Sequence, residues 1–492
     1  MSHGVRTLSL SGHRVANRRS AGECVYVSRR RLLTPFCSAA LVATWLVAGA
    51  SAQLPVTGRP VSQLAWLDDE VLAMMDEFGI SGGLVALQRN GVIIYQRGFG
   101  WNDSGQIIAM PENSLCRTAS CTKPFTGAAI QRLAGDGALS LEDFAFDLGQ
   151  TGGGLLPLDP YPSLGDEDLK DVKIRHCLTH TGGWDRSMVG DLTYHECAIA
   201  DDMDIDSPPG RTNTMRWILG QPLQCTPGMT CEYSNIGYLA CGLIVEEVTG
   251  QNLLTYLRQN VLTRDMWVPW SDFRMGRTFE VDAPAREVWY DGSAGFTCVF
   301  DNSECVLGCD TPITNSAYGA WDHEARLGQG AIVLSPATAL RFMDRYNVQL
   351  GSQSIGAPLN GERFNAYHNG ILDGCNAYFW QRDDGINLFM FFNEDATGDD
   401  FGSELRSRIE STLDDQSNWP TLDVEGFWAA PTIGTPAVYG SYDRPFRGLS
   451  DALNTLEDGS ILNLKTGNYV YAGTISTQLR LRAPLGLARI GG

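Results

Sequence analysis

Lysine is nearly absent from this chain. Lys123, Lys170, Lys173 and Lys465 are its only four, and the other 33 of its 37 basic residues are arginine. Arginine stays protonated in proteins, so chemistry that needs a neutral side-chain amine can draw on those four positions alone. Positive charge is also short overall: 57 acidic residues leave a formal net charge of −20. That excess repels phosphate backbones and anionic surfaces and argues against nucleic acid as a partner. No C-x-x-C pair occurs, and His176 and His180 lack the intervening glutamate of H-E-x-x-H, which excludes zinc sites of those two kinds. Beyond the apolar run Leu32 to Ala48, no stretch is long and apolar enough to span a bilayer.

That one run follows Arg29-Arg30-Arg31 and precedes Gly49-Ala50-Ser51-Ala52, a small-residue cleavage pattern. It reads as a signal peptide over residues 1–52, cleaved after Ala52, with export to the periplasm or the exterior. Ser28 to Leu33 also resembles a twin-arginine signal, so the export route stays open. Cleavage leaves 30 basic against 56 acidic residues, a net charge of −26. Of 13 cysteines, Cys24 and Cys37 leave with the signal. An oxidising destination makes disulfides the natural reading of the rest, and the odd remainder leaves at least one thiol unpaired. Cys225 and Cys231 could close a short loop, and Cys298, Cys305 and Cys309 could supply another bridge.

Hydrophobic residues make up 43% of the chain, enough for a sizeable globular core divided into two or three units. Helical spacing over Val61 to Glu77 ends at Gly79. Leu84 to Gln88 and Val92 to Gln96 flank Arg89-Asn90-Gly91, a hairpin signal. Helices are expected over Ala119 to Ala134, Ile236 to Glu247 and Gly402 to Leu413. Ala377 to Trp380 and Ile386 to Phe392 read as paired strands. The middle, Ala138 to about Thr230, is turn-rich, and its acidic cluster Asp201 to Asp206 reads as a solvated loop. The order implies an α+β fold, with one antiparallel sheet made from both chain ends and helices on it. Pro420, Pro431 and Pro436 suggest a linker over 416–440, and 441–492 has the texture of a β-helix-like segment. One such coil cannot bury its faces by stacking and needs the main body to dock on.

Three short motifs carry chemistry. In Ser120-Cys121-Thr122-Lys123 the i, i+3 spacing lets the amine reach the hydroxyl, which is a weak nucleophile until a base takes its proton. Lysine can do so only where desolvation or a neighbouring cation leaves it neutral. Ser120 would also sit at the amino end of a helix, where developing negative charge is favoured. In Tyr233-Ser234-Asn235, a tyrosine held near a lysine could shed its proton and act as base, and the asparagine amide could hold a substrate carbonyl or the lysine. In His368-Asn369-Gly370, the following N–H at Ile371 could join the N–H of Ser120 around an oxyanion, and His368 could polarise the substrate or hold a carboxylate.

These phrases are set in longer ones. Arg117 to Ala129 resembles the nucleophile helix of the serine β-lactamase-related family, which includes class C β-lactamases, D-Ala-D-Ala carboxypeptidases and related esterases. Val172 to Gly183 resembles that family's L-T-H-T-S-G segment, and Pro227-Gly228 with Tyr233 to Tyr238 resembles its tyrosine loop. The resemblance covers most of Gln63 to Leu413. It implies a β-lactamase/transpeptidase-like fold over 60–415 and no cofactor or metal. It also implies Ser120 as nucleophile, Lys123 and Tyr233 as coupled bases, and Asn235 binding substrate, with His368-Asn369-Gly370 in place of the K-T-G motif. His180-Thr181-Gly182 would be a structural turn. The literal Lys465-Thr466-Gly467 follows the closing helix inside the tail, so it is set aside. Cys121, within a helix, reads as a small buried residue more readily than as a bridge to Cys116.

The expected protein is an exported serine hydrolase acting on an ester or amide bond, peptide and lactam included, in a small-molecule or peptidoglycan-like substrate. H-x-G in place of K-T-G weakens a charged carboxylate anchor and tilts the expectation toward an esterase or peptidase. The alternative is a non-catalytic surface module that binds through the same scaffold and the tail. Oligomeric state is left open.

Overall fold

In the computed structural model, residues 53–491 are described except 230–231, 298, 301–310, 397–400 and 432–439. The segment expected to be a signal peptide, Cys231 and most of the cysteine-rich insertion therefore lie outside the described residues.

Asn90 (φ 49°) and Gly91 (φ 79°) both take the left-handed conformation that a two-residue hairpin turn demands. They join the two longest strands of a six-stranded antiparallel sheet, numbered here β1 (Val56–Thr57), β2 (Gly82–Arg89), β3 (Val92–Gly100), β4 (Ala366–Leu372), β5 (Cys375–Gln381) and β6 (Ile386–Phe392). The spatial order is β1-β3-β2-β6-β5-β4, so both chain ends meet where β2 pairs with β6. The sheet starts at Val56, slightly before the expected domain start at 60. Its edge strand β4 is the one that carries His368, Asn369 and Gly370.

Both faces of the sheet are covered, which explains the apolar run Leu388 to Phe392 in β6. Val85 and Leu87 point to one face, with Leu67, Val71, Met74 and Met75 of α1 (Ala65–Phe78). Leu405, Ile409 and Leu413 of a second helix, Phe401–Asp415, pack beside them. Each such side chain contributes about 1.5–3 kcal/mol by leaving water. Leu84 and Ala86 point to the other face, toward the larger helical region. There α2 (Lys123–Gly135) and α3 (Ile236–Thr249) lie in one continuous core. Phe125 of α2 stacks on Phe342 with ring centroids 3.8 Å apart.

The linker expected over 416–440 is corrected. Phe427–Ala430 is a buried strand within it, paired in parallel with both Phe446–Arg447 and Ile461–Leu464. Arg480–Arg482 adds a further parallel rung. Proline at 420 and 431 brackets an apolar tetrapeptide that belongs to the tail's own core, with Phe446, Leu449, Leu462 and Tyr469. This small solenoid docks on the body. Arg341 is ion-paired with Glu425, Asp443 accepts the Gly58 N–H at 2.7 Å, and Glu457 accepts the Ser271 N–H at 2.9 Å. Lys465 lies over the Tyr442 ring in this tail, 4.2 Å from its centroid.

Cys116, Cys121, Cys177, Cys241 and Cys375 are free and buried, so Cys121 and Cys116 are not bridged. Among the described residues no helix is long and apolar enough to cross a membrane.

The side chain of Glu425 is 5% exposed and that of Arg341 17%. Glu425→Ala would strand a largely buried guanidinium, so it is expected to lower unfolding free energy by about 3 kcal/mol. Urea denaturation would show this as an earlier midpoint of one shared transition. A tail that melts separately, leaving the body at wild-type stability, would contradict the docking.

Candidate active site

The site is built around a strained turn. Ala119 has φ 46°, a left-handed conformation unusual for a residue with a Cβ, and it opens the 3-10 turn Ala119–Thr122 that leads into α2. Hydrogen bonds on both sides hold the strain. Thr118 N–H and Oγ1–H donate to Ile332 O at 2.9 and 3.0 Å, and Ile332 N–H donates to Thr122 Oγ1 at 3.1 Å. The turn presents Ser120 half-exposed while Ala119, Cys121 and Thr122 are buried.

Lys123 is fully buried, and its Nζ lies 3.1 Å from Ser120 Oγ. The same nitrogen donates to Asn235 Oδ1 at 2.6 Å and to Gln329 O at 2.9 Å. The second carbonyl arrives because Gly328 packs directly on α3, where a Cβ would come within 2.5 Å of Tyr238 O. Burial lowers the Lys123 pKa to about 7; Asp191 and the Cys121 thiol oppose the shift, and Arg186 adds to it. The amine is thus divided between its charged and neutral forms near neutral pH.

Tyr233 comes from the loop before α3, and its hydroxyl donates to Ser120 Oγ at 2.7 Å. Its ring packs on His180, 4.4 Å between centroids, and Arg186 lies 4.6 Å above it. His180 in turn accepts the Ser234 N–H at 3.2 Å through Nδ1, which fixes the loop. Burial pushes the phenol pKa up by more than the Ser120 hydrogen bond and Arg186 pull it down. Tyr233 therefore rests as a neutral phenol that donates to Ser120.

β4 passes directly beside the turn. A Cβ on Gly370 would come within 2.1 Å of Thr118 O and 2.9 Å of Ser120 N, so only glycine fits there. Ile371 is the next residue on this edge strand, with its side chain exposed. His368 is fully buried, its Nδ1 2.9 Å from Asn369 O. Burial and the nearby Lys123 depress its pKa to about 3. The imidazole is therefore neutral and enclosed.

The structure therefore brings Ser120, Lys123, Tyr233, Asn235 and Gly370 together from separate parts of the chain. A family model described as Beta-lactamase matches residues 67–401. The chain belongs to the beta-lactamase family.

This beta-lactamase-family chain is 25% identical to Protein flp of Staphylococcus aureus (strain MRSA252) over 311 residues, 61% of this chain and 56% of that protein. It is 32% identical to Esterase EstB of Burkholderia gladioli over 200 residues, 39% of this chain and 47% of the esterase. The chain spans about half the length of the curated relatives it matches. Among solved structures, the Beta-lactamase/D-alanine Carboxypeptidase from Yersinia pestis aligns with TM-score 0.50 and 17% identity, covering 71% of this chain and 98% of that one. This is a likeness of fold. The beta-lactamase/transpeptidase-like fold, with its antiparallel sheet and flanking helices, agrees with the sequence reading.

Four residues of the site escaped the sequence reading: Asp191, Thr193, Gln329 and Arg186. Asp191-Leu192-Thr193 carries only an ordinary turn-capping signal, and Gln329 contributes through its backbone carbonyl and a second-layer amide, which no side-chain pattern announces.

Gly370→Ala should force β4 away from the Ser120 turn and destabilise the protein by about 1–3 kcal/mol through overpacking. Urea unfolding measures this directly. Wild-type stability in that variant would mean that the strand is not seated against the turn.

Proposed function

We propose that this protein is an exported serine hydrolase that works through an acyl-enzyme on Ser120. The observation that carries the reading is the contact of one hydroxyl with both a half-neutral buried amine and a neutral phenol. In acylation Ser120 Oγ bonds to the substrate carbonyl carbon while its proton passes to Lys123 Nζ. The bond to the leaving group then breaks. The leaving oxygen or nitrogen takes the Tyr233 proton, and the Lys123 ammonium restores the phenol. Lys123 Nζ stands 4.9 Å from the centroid of that ring. Water next attacks the acyl carbon, gives its proton through the same pair, and releases the acid with Ser120 regenerated. Backbone N–H groups at Ser120 and Ile371 are the proposed oxyanion donors, which fits the close seating of Gly370.

The proposed preference is for small-molecule esters, with amides as slower substrates. Two features support it: the third motif offers a neutral histidine instead of a charged lysine, and one similar protein is an esterase. The disulfide-bonded Cys197 and Cys225 support an oxidising destination. The hydrolase unit is proposed to run from β1 to Asp415, with the C-terminal segment as its brace.

Intact-mass measurement of wild type and Ser120→Ala, after exposure to a fluorophosphonate, a p-nitrophenyl ester and a penicillin, tests this reading. An adduct on wild type alone, with ester turnover reduced about 10⁴-fold or more in the variant, is the expected result. Equal turnover in both proteins would overturn it.

The pH dependence follows from the same pair. The lowered Lys123 pKa makes the neutral amine, the reactive form, scarcer as pH falls, so kcat/KM should decline below an apparent pKa of about 7. A profile flat from pH 5 to 9 would remove Lys123 as the base.

A further inference from the structure

Beneath Ser120, five side chains and one carbonyl close a ring of hydrogen bonds. Lys123 Nζ donates to Asn235 Oδ1, and Asn235 Nδ2 donates to Asp191 Oδ2 at 2.5 Å. Asp191 Oδ1 accepts from Thr193 Oγ1 at 2.7 Å, Thr193 Oγ1 accepts from Gln329 Nε2 at 3.1 Å, and Gln329 O accepts from Lys123. Lys123, Thr193, Asn235 and Gln329 are buried. Asp191 also caps its own turn, taking the Thr193 N–H at 3.2 Å on the oxygen that does not face Asn235.

The chemistry of these groups gives the ring a direction. A carboxylate accepts and never donates, so Asn235 has to turn its NH₂ toward Asp191 and its oxygen toward Lys123. The neutral amine then faces two groups that only accept, Asn235 Oδ1 and Gln329 O. They take its two N–H bonds, and the lone pair is left for the Ser120 hydroxyl. With the amide reversed, an Asn235 N–H would compete for that lone pair.

We infer that Asp191 is a positioning residue: it fixes the Asn235 amide and so aims the Lys123 lone pair at Ser120 Oγ. This rests on Lys123 being the base. Asp191 touches none of the reacting atoms; it acts on Lys123 through the Asn235 amide and through its charge.

Its charge supplies a readout that a structural cap would lack. The groups around the amine are Asp191 and Arg186, the Cys121 thiol, the His180 and His368 imidazoles, and the phenols of Tyr233 and Tyr238. Burial favours the neutral form of the thiol, both imidazoles and both phenols. That leaves Asp191 and Arg186 as the opposed charges facing Lys123.

The test is the pH profile of kcat/KM for p-nitrophenyl ester hydrolysis by the mature chain, wild type beside Asp191→Asn and Asp191→Glu, with thermal melting of each. Asp191→Asn loses both the charge and the obligate acceptor. Its acid limb should move to lower pH by about one unit, and its plateau rate should fall about tenfold because Asn235 can reverse. Asp191→Glu keeps the charge and the acceptor, so its limb should stay with wild type. An Asp191→Asn limb that superimposes on wild type would overturn the inference and leave Asp191 a turn cap. Should Asp191→Asn not fold, an Asp191→Glu limb displaced downward would overturn it equally. Absence of any acid limb in wild type itself would sink the Lys123 reading instead, and the two failures are thereby distinguished.

Discussion

A lysine amine held away from water is the constraint on which the rest of this structure depends. Moving Lys123 from an ordinary pKa of 10.5 to about 7 corresponds to about 5 kcal/mol of lost preference for the charged form. The sign of the linkage is against the fold. Below pH 7 the folded chain bears the whole penalty of a buried ammonium, and the penalty fades as pH rises toward 10.5, where the unfolded chain also releases the proton. Nothing in the packing requires a lysine there; a methionine would fill the space without a charge. The expense makes sense as the maintenance of a base. The two carbonyls that receive the amine, from Asn235 and Gln329, limit the cost while leaving the amine free to lose its proton.

The surrounding architecture can be understood as support for that one nitrogen and the hydroxyl next to it. The strained Ala119 turn is pinned between the strand at Ile332 and the edge strand at Gly370, and α3 carries Asn235 at its amino end. His180 and Arg186 both pack on the Tyr233 ring. Further out, the parallel tail braces the body at Arg341. Glu425 secures Arg341, whose guanidinium also donates to Gly91 O in the β2–β3 turn. The arrangement around Ser120 thus belongs to a body braced by interactions that reach from residue 91 to residue 425.

Much of this was legible in the sequence, and the reasons are specific. Asn90-Gly91 could only be a tight hairpin, and the apolar stretch before Gly250 forms a helix that is buried from Ile236 to Val245. Ser120, Lys123, Tyr233 and Asn235 stood out because their residue types suit one chemistry and their phrases resemble one family. What was not legible depends on the third dimension. Asp191 looks like any cap in sequence, and it becomes more only because folding sets its second oxygen against Asn235, 44 residues away. His368 stood in the sequence only as a polar group near a glycine, and its burial in β4, where it stays neutral, appears only in the fold. Phe427 to Ala430 was hidden by the prolines around it, whose local signal of a break outweighed a four-residue strand that only distant partners stabilise.

The scarcity of lysine offers the most direct test of the central claim. With ¹³Cε-labelled lysine the chain gives four side-chain resonances, and Lys123→Met identifies one of them by its loss. Following that resonance from pH 5 to 11 reads the amine itself. The account predicts a midpoint of about 7 for Lys123. A Lys123 midpoint that stays above 9 would contradict the account, because the amine would then be an ammonium at neutral pH and could not take the proton of Ser120.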